Sequence, residues 1–125
     1  MKKYKITYWI ATSIITLMML FSAYGYFTNP DMKLAFIHLG FPDYFRIELG
    51  IAKIIGAIIL IVPKIPNRLK EFSYAGFAIT FVSAFIAHIA SGDPLSIGIM
   101  AIIFLVILIL SYISYHKIVS FRYAK

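Results

Sequence analysis

A single lysine interrupts LGIAKIIGAIILIVP, residues 49–63, where every other position is aliphatic, glycine or proline. Lys53 stands five residues after Glu48, and a later apolar stretch contains His88 shortly before Asp93. An ammonium, a carboxylate and an imidazole are the groups that hold an anion or move a proton. A lysine at the centre of a membrane helix costs about 2.5 to 3.5 kcal/mol on the insertion scale, whereas each Leu, Ile, Phe or Val returns only about 0.3 to 0.6 kcal/mol. At that cost an ionisable group inside the membrane marks a functional site. The competing role is architectural: Lys53 and Glu48 pair with other helices and fix the register of a bundle.

The surrounding sequence identifies the solvent. Hydrophobic residues make up 62% of the 125 positions and charged ones 14%, against roughly 45 to 50% and about 25% in soluble domains. Four apolar segments, residues 6–27, 44–62, 72–91 and 95–115, are each near the ~20 residues that cross a ~30 Å hydrocarbon core as a helix. The expected fold is therefore all-α, an integral membrane four-helix bundle, with residues 1–125 forming one transmembrane domain. Lys2, Lys3 and Lys5 followed by an apolar run resemble a signal peptide, with Ala23-Tyr24-Gly25 as its cleavage site. The run exceeds the ~7 to 15 residues of a signal core, which makes it a retained helix.

The connections carry local signals. In NPDMKLAFIHLGFPDYF, Asn29 can cap a short helix with Pro30 at its first position and Gly40 at its end. Met32, Ala35, Phe36 and Leu39 then share one face, opposite Asp31, Lys33 and His38, as in an amphipathic helix lying on the outer membrane surface. The second connection holds two prolines and the basic residues Lys64, Arg68 and Lys70, and the third is the turn SGDP, in which Asp93 can cap the last helix. With Lys2, Lys3, Lys5, Lys117, Arg122 and Lys125 in the tails, the positive-inside rule places both termini in the cytoplasm. Topology and anionic lipid headgroups account for the net charge of +7. Nucleic acid is not an expected partner, because the basic residues are spread over three membrane-edge segments.

On the second apolar segment, Glu48, Gly50, Ala52, Lys53, Gly56 and Ala57 gather on one helical arc, and Ile47, Ile51, Ile54, Ile55, Ile58 and Ile61 on the other. The isoleucines suit lipid, so the small and charged arc faces other helices, with Ala52 and Gly56 as close-packing positions within one bundle or between two copies. The third segment repeats the design with Gly76, Thr80, Ser83, Ala84, Ala87, His88 and Ser91. Glu48 and Lys53 lie about 140° apart and are poorly placed to pair with each other. With Tyr24 near the outer end of the first helix and Asp93 in the outer turn, Glu48, Lys53 and His88 form a candidate pocket open to the outside.

No cysteine is present, which removes thiol relays, thiolate metal sites and iron–sulfur clusters. One buried histidine per chain cannot supply both axial ligands of a haem; only a homodimer could. HExxH, GxSxG and Gly-rich phosphate loops are missing too. No metal site and no catalysis by the chain alone is expected.

Together HLGFPDYF (38–45), LGIAKIIGAIILIVP, RLKEFSYAGF (68–77), and His88 followed by GDP (92–94) resemble the DoxX-like family of small bacterial four-helix membrane proteins. The resemblance implies a multi-pass protein of the bacterial cytoplasmic membrane. It also implies a link to quinone chemistry, through the quinol oxidase and thiosulfate:quinone oxidoreductase subunit that gave the family its name. The expected function is an accessory component of a membrane redox or stress-response system, working with a partner protein, whose pocket holds a small lipophilic molecule such as a quinone. A small proton-coupled transporter and a purely structural or assembly protein are the alternatives.

Overall fold

A computed structural model of the protein describes residues 2–123; Lys125 of the C-terminal basic set lies outside them. Among the described residues the regular structure is helical: α1 (Lys2–Thr28), α2 (Pro30–His38), α3 (Asp43–Ile61), α4 (Asn67–Ala90) and α5 (Leu95–Tyr123). The helices outrun the apolar segments, because helix formation continues past the hydrocarbon boundary until a backbone signal stops it. Thus α4 begins at Asn67, directly after Pro66, whose carbonyl accepts from the amides of Leu69 and Lys70 at 3.0 and 3.2 Å. By length and composition α1, α4 and α5 can cross a membrane. Shorter α3 carries Asp43, Arg46, Glu48 and Lys53.

In the ring of helices, α1 packs against α3 and α5, and α4 packs against the same two. Aromatic rings set onto glycines bring neighbours close. A Cβ built on Gly56 would lie 2.8 Å from the Phe77 ring of α4, one on Gly50 2.8 Å from Phe27 of α1, and one on Gly98 3.2 Å from Phe85 of α4. Ser73 of α4 adds a 2.9 Å hydrogen bond to the Gly56 carbonyl. Gly56 is therefore a close-approach position. Ala52 and Gly76 are exposed, and a Cβ on Gly76 meets nothing within 4 Å. The reason is rotational: α3 centres its inner face on Lys53, and Ala52 lies about 100° from it.

The half of the ring near the termini has a packed core, with a small cavity of about 190 Å³ between α4 and α5 beside Tyr74 and Leu108. Its core contains Tyr8, Ile15, Leu60, Tyr74, Leu108 and Tyr115, threaded by polar ties between helices. Thr12 of α1 meets Ser111 of α5 at 2.6 Å, and Ser111 meets Tyr74 of α4 at 2.7 Å. Lys70, expected among the basic residues of the second connection, lies in α4 and is 3% exposed. Its ammonium donates to the carbonyls of Leu60 (2.7 Å) and Val62 (3.0 Å) and to the Tyr8 hydroxyl (3.1 Å), which itself donates to the Leu60 carbonyl. These carbonyls belong to the C-terminal turn of α3, where unsatisfied oxygens and the negative end of the helix dipole favour a cation. Lys70 is the cap of α3.

Around α2 the sequence signals are realised. Asn29 accepts the Asp31 amide at 2.9 Å with Pro30 opening the helix, and Gly40 ends it at φ +86°. The apolar face is turned toward the bundle, while Leu34 and Ile37 stay exposed. Phe36 is buried, set edge-on against Tyr26 at 4.9 Å and close to Phe41 and Phe45, so α2 lies across the end of the bundle.

Two consequences are open to measurement. Gly56→Ala should lower stability by about 1 to 3 kcal/mol, since the buried Phe77 ring has nowhere to go, while Gly76→Ala should be neutral or slightly stabilising; unfolding of the two variants in detergent compares them directly. Lys70→Met, which leaves the Val62 carbonyl without its donor, should cost about 1 to 3 kcal/mol in the same assay.

Candidate functional site

The half of the bundle under α2 is hollow. A cavity of about 690 Å³ is lined by residues of all five helices, within the range of roughly 300 to 1,000 Å³ of small-molecule sites. Most of its wall is apolar, built from Met19, Leu49, Phe81, Met100 and Phe104, with Met32, Ala35 and Phe36 of α2 and its C-cap Leu39 as the roof. Those four are the apolar face read from the sequence. Lining residues such as Ile79 (67%), Ile97 (45%) and Met100 (49%) remain exposed, so the cavity opens at the surface of the bundle.

Polar groups enter it from two walls. From α3 comes Lys53, 6% exposed, donating to the Ser22 hydroxyl at 2.9 Å and to the Tyr26 hydroxyl at 2.6 Å, both on α1. The ammonium also lies 4.2 Å from the centre of the Tyr26 ring, a cation–π contact. Tyr26 is itself held: its backbone carbonyl accepts from Arg46, which also grips Asp43. From α4 comes His88, with Thr80 and Ser83 on the same helix.

His88 is oriented from outside the cavity. Its Nδ1 lies 2.7 Å from one Asp93 oxygen, and the other Asp93 oxygen lies 2.8 Å from Nε2 of His38, at the end of α2. An ionised carboxylate only accepts, so each imidazole donates from the bonded nitrogen. This leaves Nε2 of His88 with no protein partner among the described residues. One carboxylate therefore fastens the roof helix to a cavity wall. Hydrogen bonds from His88 and then His38 hold the Asp93 carboxyl below its usual range.

The structure brings Lys53 and His88 into one cavity and links Asp93 to it through His88. It places Glu48 and Tyr24 elsewhere: Glu48 is exposed, about 140° around α3 from Lys53, and Tyr24 is 67% exposed. Two residues along a helix amount to about 200° of rotation, which is why Tyr26, and not Tyr24, meets the lysine. Asp93, expected to cap α5, spends both oxygens on histidines. Ser22, Tyr26, Arg46 and His38 were missed by the sequence reading. For Ser22 and Tyr26 a signal was present, since they lie four residues apart on one face of α1.

Because the carboxyl of Asp93 is depressed, the clasp is complete above the ordinary carboxylate range and is lost only as pH falls through the lowered value. Protonating either histidine leaves it a donor. Asp93→Asn should release α2 at neutral pH, seen as several-fold faster hydrogen exchange of the α2 amides with those of α1 and α5 unchanged.

Comparison with known proteins gives one positive result. No curated protein and no solved structure matches the chain. The sequence model of the DoxX-like family matches residues 10–111, from the first turns of α1 through the cavity into the distal half of α5. A match across most of the sequence, over a helical bundle whose long helices are apolar enough for the bilayer, makes this chain a membrane protein of the DoxX-like family.

Proposed function

We propose that this protein binds a small lipophilic molecule within the membrane, roofed by α2 and met at its polar end by Lys53. In this reading it serves as an accessory component of a membrane redox or stress-response system and acts with a partner protein. The observation that carries the reading is the cavity, apolar over most of its wall and supplied with hydrogen-bonding groups at two places, Lys53 with Tyr26 and His88. That combination suits a ligand with an apolar body and an acceptor group. An opening flanked by Ile79, Ile97 and Met100 favours entry from the lipid rather than from water. A quinone, toward which the family resemblance points, has a carbonyl oxygen that could accept from Lys53.

In the same reading α3 is the fourth membrane crossing. Its isoleucines Ile47, Ile51, Ile55 and Ile58 face outward, and Lys53 is answered from within the bundle. The basic residues Lys2, Lys3, Lys5, Lys64 and Arg68 gather at the end holding the termini, and under the positive-inside rule this supports a cytoplasmic position for that end and an outer one for α2. A proton-coupled exporter fits less well, because Glu48 does not line the cavity.

The test is mass spectrometry of the intact protein purified in mild detergent. One small molecule bound per chain is expected, and its loss or marked weakening in Ala84→Trp, which obstructs the cavity from α4 and leaves Lys53 in place. A folded wild-type chain that carries nothing, and takes up nothing from a membrane extract, would rule the reading out.

A further inference from the structure

Resting on the reading that the cavity holds a small molecule, we propose that this molecule is a lipophilic acid whose anionic headgroup is received by Lys53, Tyr26 and Ser22. The argument starts from the count of protons. An ammonium has three N–H donors, and Lys53 uses two of them on Ser22 and Tyr26. Each of those hydroxyls accepts from the lysine and keeps its own proton. Elsewhere in the bundle such protons go to the carbonyl four residues back, as in Thr28 to Tyr24 and Thr80 to Gly76, both at 2.8 Å. Neither Ser22 nor Tyr26 donates to a protein acceptor among the described residues. Three donors therefore cluster beside the cavity with nothing to receive them.

Charge leads to the same ligand. A cation taken out of water needs a paired charge or full hydrogen bonding. The chain has five carboxylates, and none answers Lys53. Asp43 holds Arg46, Glu71 accepts from Tyr112 and meets His116, Asp93 holds two histidines, and Asp31 and Glu48 are exposed. The other buried lysine shows what a self-sufficient site looks like. All three donors of Lys70 are matched, two of them by carbonyls at the negative end of α3. Lys53 has two neutral hydroxyls and the Tyr26 ring, no carboxylate, no helix terminus and an open space beside it. A carboxylate or phosphate oxygen satisfies the free donors and the charge together, and an attached hydrocarbon occupies the apolar remainder. A neutral carbonyl satisfies only the donors.

Binding measured by intact-complex mass spectrometry in neutral detergent separates these. The probes are a straight-chain carboxylic acid, its methyl ester, the alkyl phosphate of the same chain, and a short-tailed neutral quinone. The acid or the phosphate should bind roughly tenfold to a hundredfold tighter than the ester, the tighter of the two identifying the headgroup. Lys53→Arg should retain the preference, Tyr26→Phe reduce it and Lys53→Met abolish it. Equal binding of acid and ester, or a preference that survives Lys53→Met, overturns the proposal. Should Lys53→Met not fold, an unchanged preference in Tyr26→Phe overturns it instead. A quinone that binds where both acids are excluded also overturns it and leaves the cavity reading intact, and failure of every probe overturns it too, the cavity reading then standing or falling on uptake from a membrane extract.

Discussion

An ammonium removed from water must be met by oxygen, and the two buried lysines meet that constraint in different ways. Lys70 sits against the end of α3, where the helix supplies carbonyls that no amide can reach, and its donors are used up. Lys53 sits in the middle of α3, where every backbone carbonyl is already bonded within the helix, so its partners must be side chains from α1. Position along one helix thus separates a lysine that closes the structure from one that leaves a valence open. The two ends of the bundle follow from this difference.

At the terminal end polar ties serve assembly. Lipid offers no partner to a buried hydroxyl or carbonyl, so each finds one on another helix. Tyr8, Lys70 and the Leu60 carbonyl join α1, α4 and α3, while Thr12, Ser111 and Tyr74 join α1, α5 and α4. Glycine at residue 56 allows Phe77 to lie against α3 and draws α3 and α4 together. Beyond that contact the inner faces of α3 and α4 present Lys53, Leu49 and Phe45 on one side and Thr80, Ala84 and His88 on the other, with the cavity between them.

The cavity is roofed by α2, a helix of nine residues that could not hold itself in place. An isolated helix that short is unstable in water, so its position depends on its anchors. Phe36 against Tyr26 supplies the packing, and the His38–Asp93 bond fastens the end. Asp93 also orients His88, so the anchoring of the roof and the orientation of a cavity-lining group share one carboxylate. Tyr26 has a similar double role, touching the roof with its ring and the lysine with its hydroxyl.

Much of this was legible in the chain itself. Composition and segment length fixed the membrane class and the helices, since a bilayer admits few ways to satisfy a backbone. The Asn29–Pro30 start, the Gly40 stop and the apolar face of α2 were readable because capping and periodicity are local. Lys53 and His88 were identifiable because charge in apolar sequence is costly wherever the neighbours lie. Which residues answer them was not readable. Whether Tyr24 or Tyr26 faces α3, whether Glu48 joins Lys53, and whether Lys70 is solvated or buried all depend on helix rotation and on contacts between residues far apart in sequence. Helical periodicity states which residues share a face, and only the packing of one helix on another decides which face turns inward.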